Sequence, residues 1–255
     1  MRQPVLILGA ALVTGVFVSS AGAGVIGGFD PTLTVDAGAS HWDSALIGGP
    51  NKDGTWNYGG SHTEATSGGS WTVDYSIDAT RDEAPTVRGA QTTFLFNNLV
   101  LTNNTGMTQT VTITTMIPVF PAILPSSVMG GSASGTLTTN GDGGTMSNVN
   151  GADPMYRALI DGVAVGGIAD LLNFDSSVSV AGFGSGSTGF EDFGTPIPSA
   201  PGPAVLNSIG ITLQFDLTDG DAVSWTSVFV VNVVPTPGAG ALFGLAGFAA
   251  IRRRR

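Results

Sequence analysis

Ile211, Leu213, Phe215 and Leu217 alternate with Thr212, Gln214, Asp216 and Thr218, so that every second residue over this stretch is apolar. Successive side chains of an extended chain point to opposite faces, so this alternation builds a strand with one face in a core and one in water. A helix would spread the same residues around its axis. The pattern recurs. Val223, Trp225, Phe229 and Val231 follow the turn DLTDGD, and Val73, Tyr75 and Ile77 alternate with Thr72, Asp74 and Ser76. Residues 92–119 read as two β-rich runs around the turn Asn103-Asn104-Thr105-Gly106, with shorter runs near 135–139, 156–168 and 177–183. Clusters of Gly, Asn, Asp and Ser punctuate these runs at short intervals.

No 12-residue window of the body carries a helical period, and composition agrees. Gly accounts for 38 of 255 residues, charged residues for 11%, and Lys52 is the single lysine, so several of the residues that favour helix surfaces are scarce. The hydrophobic share of 42% suffices for a sizeable core. We expect one all-β domain over residues 24–233, an antiparallel β-sandwich of jelly-roll-like or immunoglobulin-like type. Two stretches, 48–69 and 184–203, read as irregular loops; the second holds Pro196, Pro198, Pro201 and Pro203. With no cysteine, the chain has no disulfide scaffold, thiol nucleophile or thiolate zinc site.

Both ends read as processing segments. Arg2, the apolar run VLILGAALVTGVFV and the small residues Ala21 and Ala23 form a secretory signal peptide over residues 1–23, with cleavage after Ala23. At the other end Val234, Pro235, Thr236 and Pro237 precede the apolar run GAGALFGLAGFAAI, and Arg252, Arg253, Arg254 and Arg255 close the sequence. Fourteen helical residues span about 21 Å against a hydrocarbon core of about 30 Å, so the segment engages a membrane without being a comfortable permanent anchor. The arginines stay on the cytoplasmic side and act as a membrane stop. Setting aside Arg2 and the terminal arginines leaves four basic residues against 19 acidic ones, a body of net charge −15. Such a body repels phosphate backbones and excludes nucleic-acid binding.

The tail, V-P-x-P followed by a short apolar helix and then arginines, resembles the PEP-CTERM sorting signal of Gram-negative bacteria, with Thr236 where that family usually has Glu. The resemblance covers residues 234–255. It implies transient insertion in the inner membrane, recognition by an exosortase-like membrane enzyme, and a place at the cell surface or in the extracellular matrix, in association with exopolysaccharide or biofilm.

Catalytic constellations are thin. The only histidines, His41 and His62, fall in a region that reads as loop, and neither a G-x-S-x-G elbow nor an H-E-x-x-H spacing occurs. We therefore expect no enzyme and no catalytic residues. A secreted hydrolase would need a carboxylate pair, and nothing in the sequence singles one out. Five of the seven Trp and Tyr residues lie between Trp42 and Tyr75, and aromatic rings stack on sugar faces. Trp42, Trp56 and Tyr58 are therefore the candidates for a carbohydrate-binding surface. Asp216, Asp219 and Asp221 crowd oxygen ligands as a calcium loop does, although an ordinary hairpin turn has the same composition; the segment from Asn140 to Gly144 is similar. The expectation is a secreted surface or matrix protein without a required cofactor, structural or exopolysaccharide-associated.

Overall fold

The computed structural model describes residues 31–46, 55–81, 92–119, 122–173 and 176–234. The segments expected to be a signal peptide, with Ala21 and Ala23, and a sorting tail, from Pro235 to Arg255, lie outside them; Val234 follows directly on the last strand. No helix among the described residues is long and apolar enough to cross a membrane.

The described chain is nearly all strand, arranged as two packed antiparallel sheets. In chain order the strands are β1 (Thr32–Ala37), β2 (Ser40–Ala45), β3 (Thr55–Thr66), β4 (Gly69–Arg81), β5 (Thr92–Asn104), β6 (Gln109–Pro118), β7 (Ser127–Thr139), β8 (Gly144–Ser147), β9 (Tyr156–Ile160), β10 (Val163–Ala164), β11 (Asp170–Leu171), β12 (Val178–Val180), β13 (Gly184–Phe193), β14 (Ala200–Gly202), β15 (Ser208–Leu217) and β16 (Asp221–Val233). One sheet runs β10-β9-β15-β6-β1-β2, with β11 on β9, β8 on β15 and β12 on β8. The other runs β13-β7-β16-β5-β4-β3, with β14 on β7.

The alternation read from the sequence becomes the interface between the sheets. Ile211, Leu213, Phe215 and Leu217 of β15 and Val223, Trp225, Phe229 and Val231 of β16 are all wholly buried. The rings of Phe215 and Trp225 lie 5.5 Å apart across the sandwich. Two polar links cross the same core. Asn97 Nδ2 on β5 donates to Thr115 Oγ1 on β6 at 3.1 Å, and the buried Tyr156 hydroxyl on β9 donates to the carbonyl of Val228 on β16 at 2.9 Å. Burial also pushes the Tyr156 phenol well above its ordinary pKa, since an anion there would be desolvated.

The two stretches read as irregular loops contain strands. Residues 55–66 pair with β4 along their whole length, from Thr55 opposite Thr80 to Thr66 opposite Gly69. The alternation there is masked by Gly60, which stands at an inward position because the Tyr75 ring occupies the space of a side chain; a Cβ on Gly60 would lie 2.7 Å from the Tyr75 Oη. Residues 184–193 pair with β7. Here Gly186 faces inward, and a Cβ would lie 2.6 Å from Val178 Cγ1 on β12, so glycine stands where an apolar residue would have signalled a strand. His41 and His62 accordingly lie on β2 and β3, not in a loop.

Candidate functional site: the seam between two sheet edges

β2 is an edge of the first sheet and β3 an edge of the second, and inward-facing residues of the two meet along one side of the sandwich. Trp42 on β2 and His62 on β3 stack with ring centroids 4.3 Å apart and planes within 8°. The indole of Trp71 on β4 is wholly buried and donates through Nε1 to Ser40 Oγ on β2 at 2.7 Å. Ser40 in turn donates to the carbonyl of Ala37 at 2.9 Å. His62 also tilts against Trp71 at 5.7 Å, and its Nε2 lies 3.1 Å from Glu64 Oε2. Among the described residues, this side of the sandwich is closed by rings and hydroxyls rather than by a further strand.

The aromatic residues expected to bind sugar all belong to this seam, in different states. Trp42 and Trp56 are half-buried and pack against the core. One face of Trp42 is spent on His62, and Trp56 lies beside Tyr58, with centroids 6.4 Å apart. Tyr58 is buried, which takes its ring out of reach of a polysaccharide and pushes its phenol pKa up to about 12. Stacking on a sugar requires a bare ring face, and the geometry leaves less of one than the sequence suggests.

His41 faces away from the seam, on the outer face of its sheet. Its Nδ1 lies 2.6 Å from Asp36 Oδ1 on β1, and its Nε2 lies 3.5 Å from Asp43 Oδ2. Hydrogen bonding to Asp36, reinforced by Asp43, holds the imidazole above its ordinary pKa.

Asp216, Asp219 and Asp221 come near the segment 140–144, but each carboxylate serves its own partner. Asp216 accepts from Thr110 Oγ1 at 2.5 Å on the outer face, and exposed Asp219 accepts from the Gly106 N–H at 2.7 Å. Asp221 is wholly buried; it accepts from the Thr218 hydroxyl and from the Asn140 N–H. Gly144 and Gly220 leave room for this arrangement, since a Cβ on either would collide with Asp221 or Asn140. Among the described residues no three His, Asp or Glu side chains gather as a metal site. Asp219 and Asp221 act as struts between turns, and Asp216 bridges two neighbouring strands, β15 and β6.

Sequence reading overlooked the strongest polar fixtures. Asp161 and Gly162 both have positive φ, 52° and 77°, and form the tip between β9 and β10. The Asp161 carboxylate there accepts from the N–H groups of Leu206, Asn207 and Ser208 at 3.0, 2.6 and 3.0 Å. The Asp-Gly dipeptide was the available signal for the turn, but not for its distant partner.

No family model matches the chain, and no curated protein matches it. Among solved structures, a chain from "Structure of infectious bursal disease virus Gx strain" aligns at 12% identity over 82% of this chain and 60% of its own length, with a TM-score of 0.15. At that score the likeness carries no argument about fold or function.

Proposed function

We propose that the chain is a secreted bacterial surface or extracellular-matrix protein with a non-catalytic role, structural or exopolysaccharide-associated. In this reading residues 1–23 direct export. The tail then places the protein transiently in the inner membrane for an exosortase-like enzyme. The body is read as a jelly-roll-like or immunoglobulin-like variant of the sandwich. One observation carries the proposal: V-P-T-P, a 14-residue apolar run and four arginines in that order. The run is too short to span with ease, the arginines hold its end in the cytoplasm, and Pro235 and Pro237 keep the preceding backbone extended for a protease. A seam in which the aromatic side chains are largely engaged with one another is in keeping with a structural body.

Mass spectrometry of the protein recovered from the cell surface tests the reading. The expected product begins near Gly24 and ends near residues 234–237. Replacing Pro235 and Pro237 should block the C-terminal cut while leaving insertion intact. A surface-located chain that still ends in Arg255 would overturn the sorting proposal.

A further inference from the structure

We propose that the end of the sandwich from which the tail leaves is a membrane-docking rim, and that Leu124, Val163 and Leu206 dip from it into the headgroup layer of a lipid bilayer while the tail is inserted. The inference rests on the sorting reading of the tail and gives the body a part in it. β16 ends at Val233, which pairs with Ser127 at the start of β7. Ser127 Oγ donates to the Pro203 carbonyl at 2.7 Å, and close by Ile123 pairs with Val205. Ile123 and Val205 are wholly buried, whereas the residues that follow them, Leu124 and Leu206, point outward and are each 55% exposed. The Asp161 carboxylate, gripping the N–H groups of residues 206–208, holds the β9–β10 tip beside Leu206. Val163 on that tip is 68% exposed. Apolar side chains from three separate segments thus stand out around the point where the chain leaves the body.

The tether decides what they face. Pro235, Thr236 and Pro237 alone separate Val234 from the apolar run that begins at Gly238, a reach of at most about 14 Å. A run of 14 residues falls short of the hydrocarbon thickness, so none of it is left over to lengthen that reach. The rim is therefore held at the headgroups, and a tether this short populates even a weak contact through its high effective concentration. Exposed leucine and valine side chains gain by leaving water there. Charge is arranged to match. Asp36, Asp142, Asp216 and Asp219 lie at the opposite end of the sandwich, about 40 Å away along the 13 residues of β16. Their repulsion from lipid phosphates is screened over that distance. The connections from β2 to β3 and from β4 to β5 depart from the tail end, and with Arg81 they carry three basic and three acidic residues, which cancel. The Asp161 carboxylate at the rim is taken up by its three N–H partners.

The absence of cysteine lets single fluorescent labels locate the rim. The full chain is reconstituted in phosphatidylcholine vesicles carrying nitroxide-labelled lipid, with an environment-sensitive dye on one introduced cysteine at a time. A dye on Leu245→Cys reports insertion of the tail, and dyes on Leu124→Cys and Val163→Cys report the rim. A dye on Met107→Cys, an exposed position at the opposite end, is the reference. The tail and rim dyes should be blue-shifted and quenched, and the Met107 dye neither. Leu124→Asp with Leu206→Asp should abolish quenching of the Val163 dye and spare that of the Leu245 dye. The melting temperature should not change, because both side chains are exposed. A quenched tail dye with rim dyes in water overturns the docking and leaves the sorting reading standing. A tail dye in water overturns both. Quenching at Met107 as strong as at Leu124 overturns the rim. Leu124→Cys chains that cross-link to one another under oxidation, yet carry an unquenched dye, give the rim to a second copy and overturn the proposal as well.

Discussion

Asn103 at the end of β5 donates through Nδ2 to the carbonyl of Leu217 at the end of β15, at 2.9 Å, and so ties one sheet to the other at the rim of the sandwich. The same amide nitrogen donates to the Met107 carbonyl at 2.9 Å, while Oδ1 accepts from Thr105 N–H and Oγ1. All this happens at a side chain with no exposed surface. Asn103→Leu should cost about 2–4 kcal/mol, because it takes a donor from the Leu217 and Met107 carbonyls and an acceptor from the Thr105 N–H inside a buried site. Asn103→Asp should also destabilise at neutral pH, since a carboxylate cannot donate to either carbonyl. Urea denaturation checks both. An aspartate variant as stable as the wild type would remove the donor role.

Asp161 is a second fixture, with its carboxylate gripping three consecutive N–H groups of the 206–208 segment. Asp161→Asn keeps a residue tolerant of the left-handed conformation and one acceptor oxygen, and should cost less than Asp161→Ala. The alanine variant loses every bond and strains the turn, by about 1–3 kcal/mol in all. The order of melting temperatures should be wild type, then Asn, then Ala. Equal melting temperatures for the wild type and Asp161→Ala would refute the clamp.

The pH dependence runs through His41. Its folded pKa is raised by Asp36 first and Asp43 second, so the protonated form binds its partners better than it does in the unfolded chain. That contribution is fully present below the ordinary histidine pKa near 6.5. It is lost as pH rises through the folded value. Titration of the His41 ring protons by NMR should give a midpoint above 6.5, and Asp36→Asn should bring it down. A midpoint unmoved by Asp36→Asn would show that the contact does not hold the proton.

β15, β16 and β4 were legible because each contrasts an apolar face with a polar one, which is what a period-2 reading detects, and β5 because it is a run of β-favouring residues ending in a turn sequence. β3 and β13 were not. Gly60 and Gly186 occupy inward positions there, where the missing side chain makes room for Tyr75 and Val178. A glycine that serves packing is indistinguishable in sequence from one that serves a turn. The aromatic candidates were legible as a cluster around Trp42. What the rings do was hidden, because Trp42 stacks on a residue of the opposite sheet. The same limit applies to Asp221, whose role depends on Asn140, in a turn 81 residues away.

The Trp42–His62 stack supplies the remaining prediction. At 4.3 Å and 8° the two rings overlap face to face, and each belongs to the edge strand of a different sheet. No strand closes this side of the sandwich among the described residues, so the stack and the Trp71–Ser40 hydrogen bond carry the closure. Aromatic pairs contribute about 0.5–1.5 kcal/mol beyond the area they bury. In a double-mutant cycle, Trp42→Ala and His62→Ala should therefore be non-additive by an amount in that range, since removing either ring already removes the pair. His62→Phe should retain most of the stability that His62→Ala loses, because a flat ring of similar reach preserves the stack without the Glu64 contact. Chemical denaturation of the four chains of the cycle gives the coupling directly. Strictly additive losses would mean that the rings merely lie side by side and that the seam is held elsewhere.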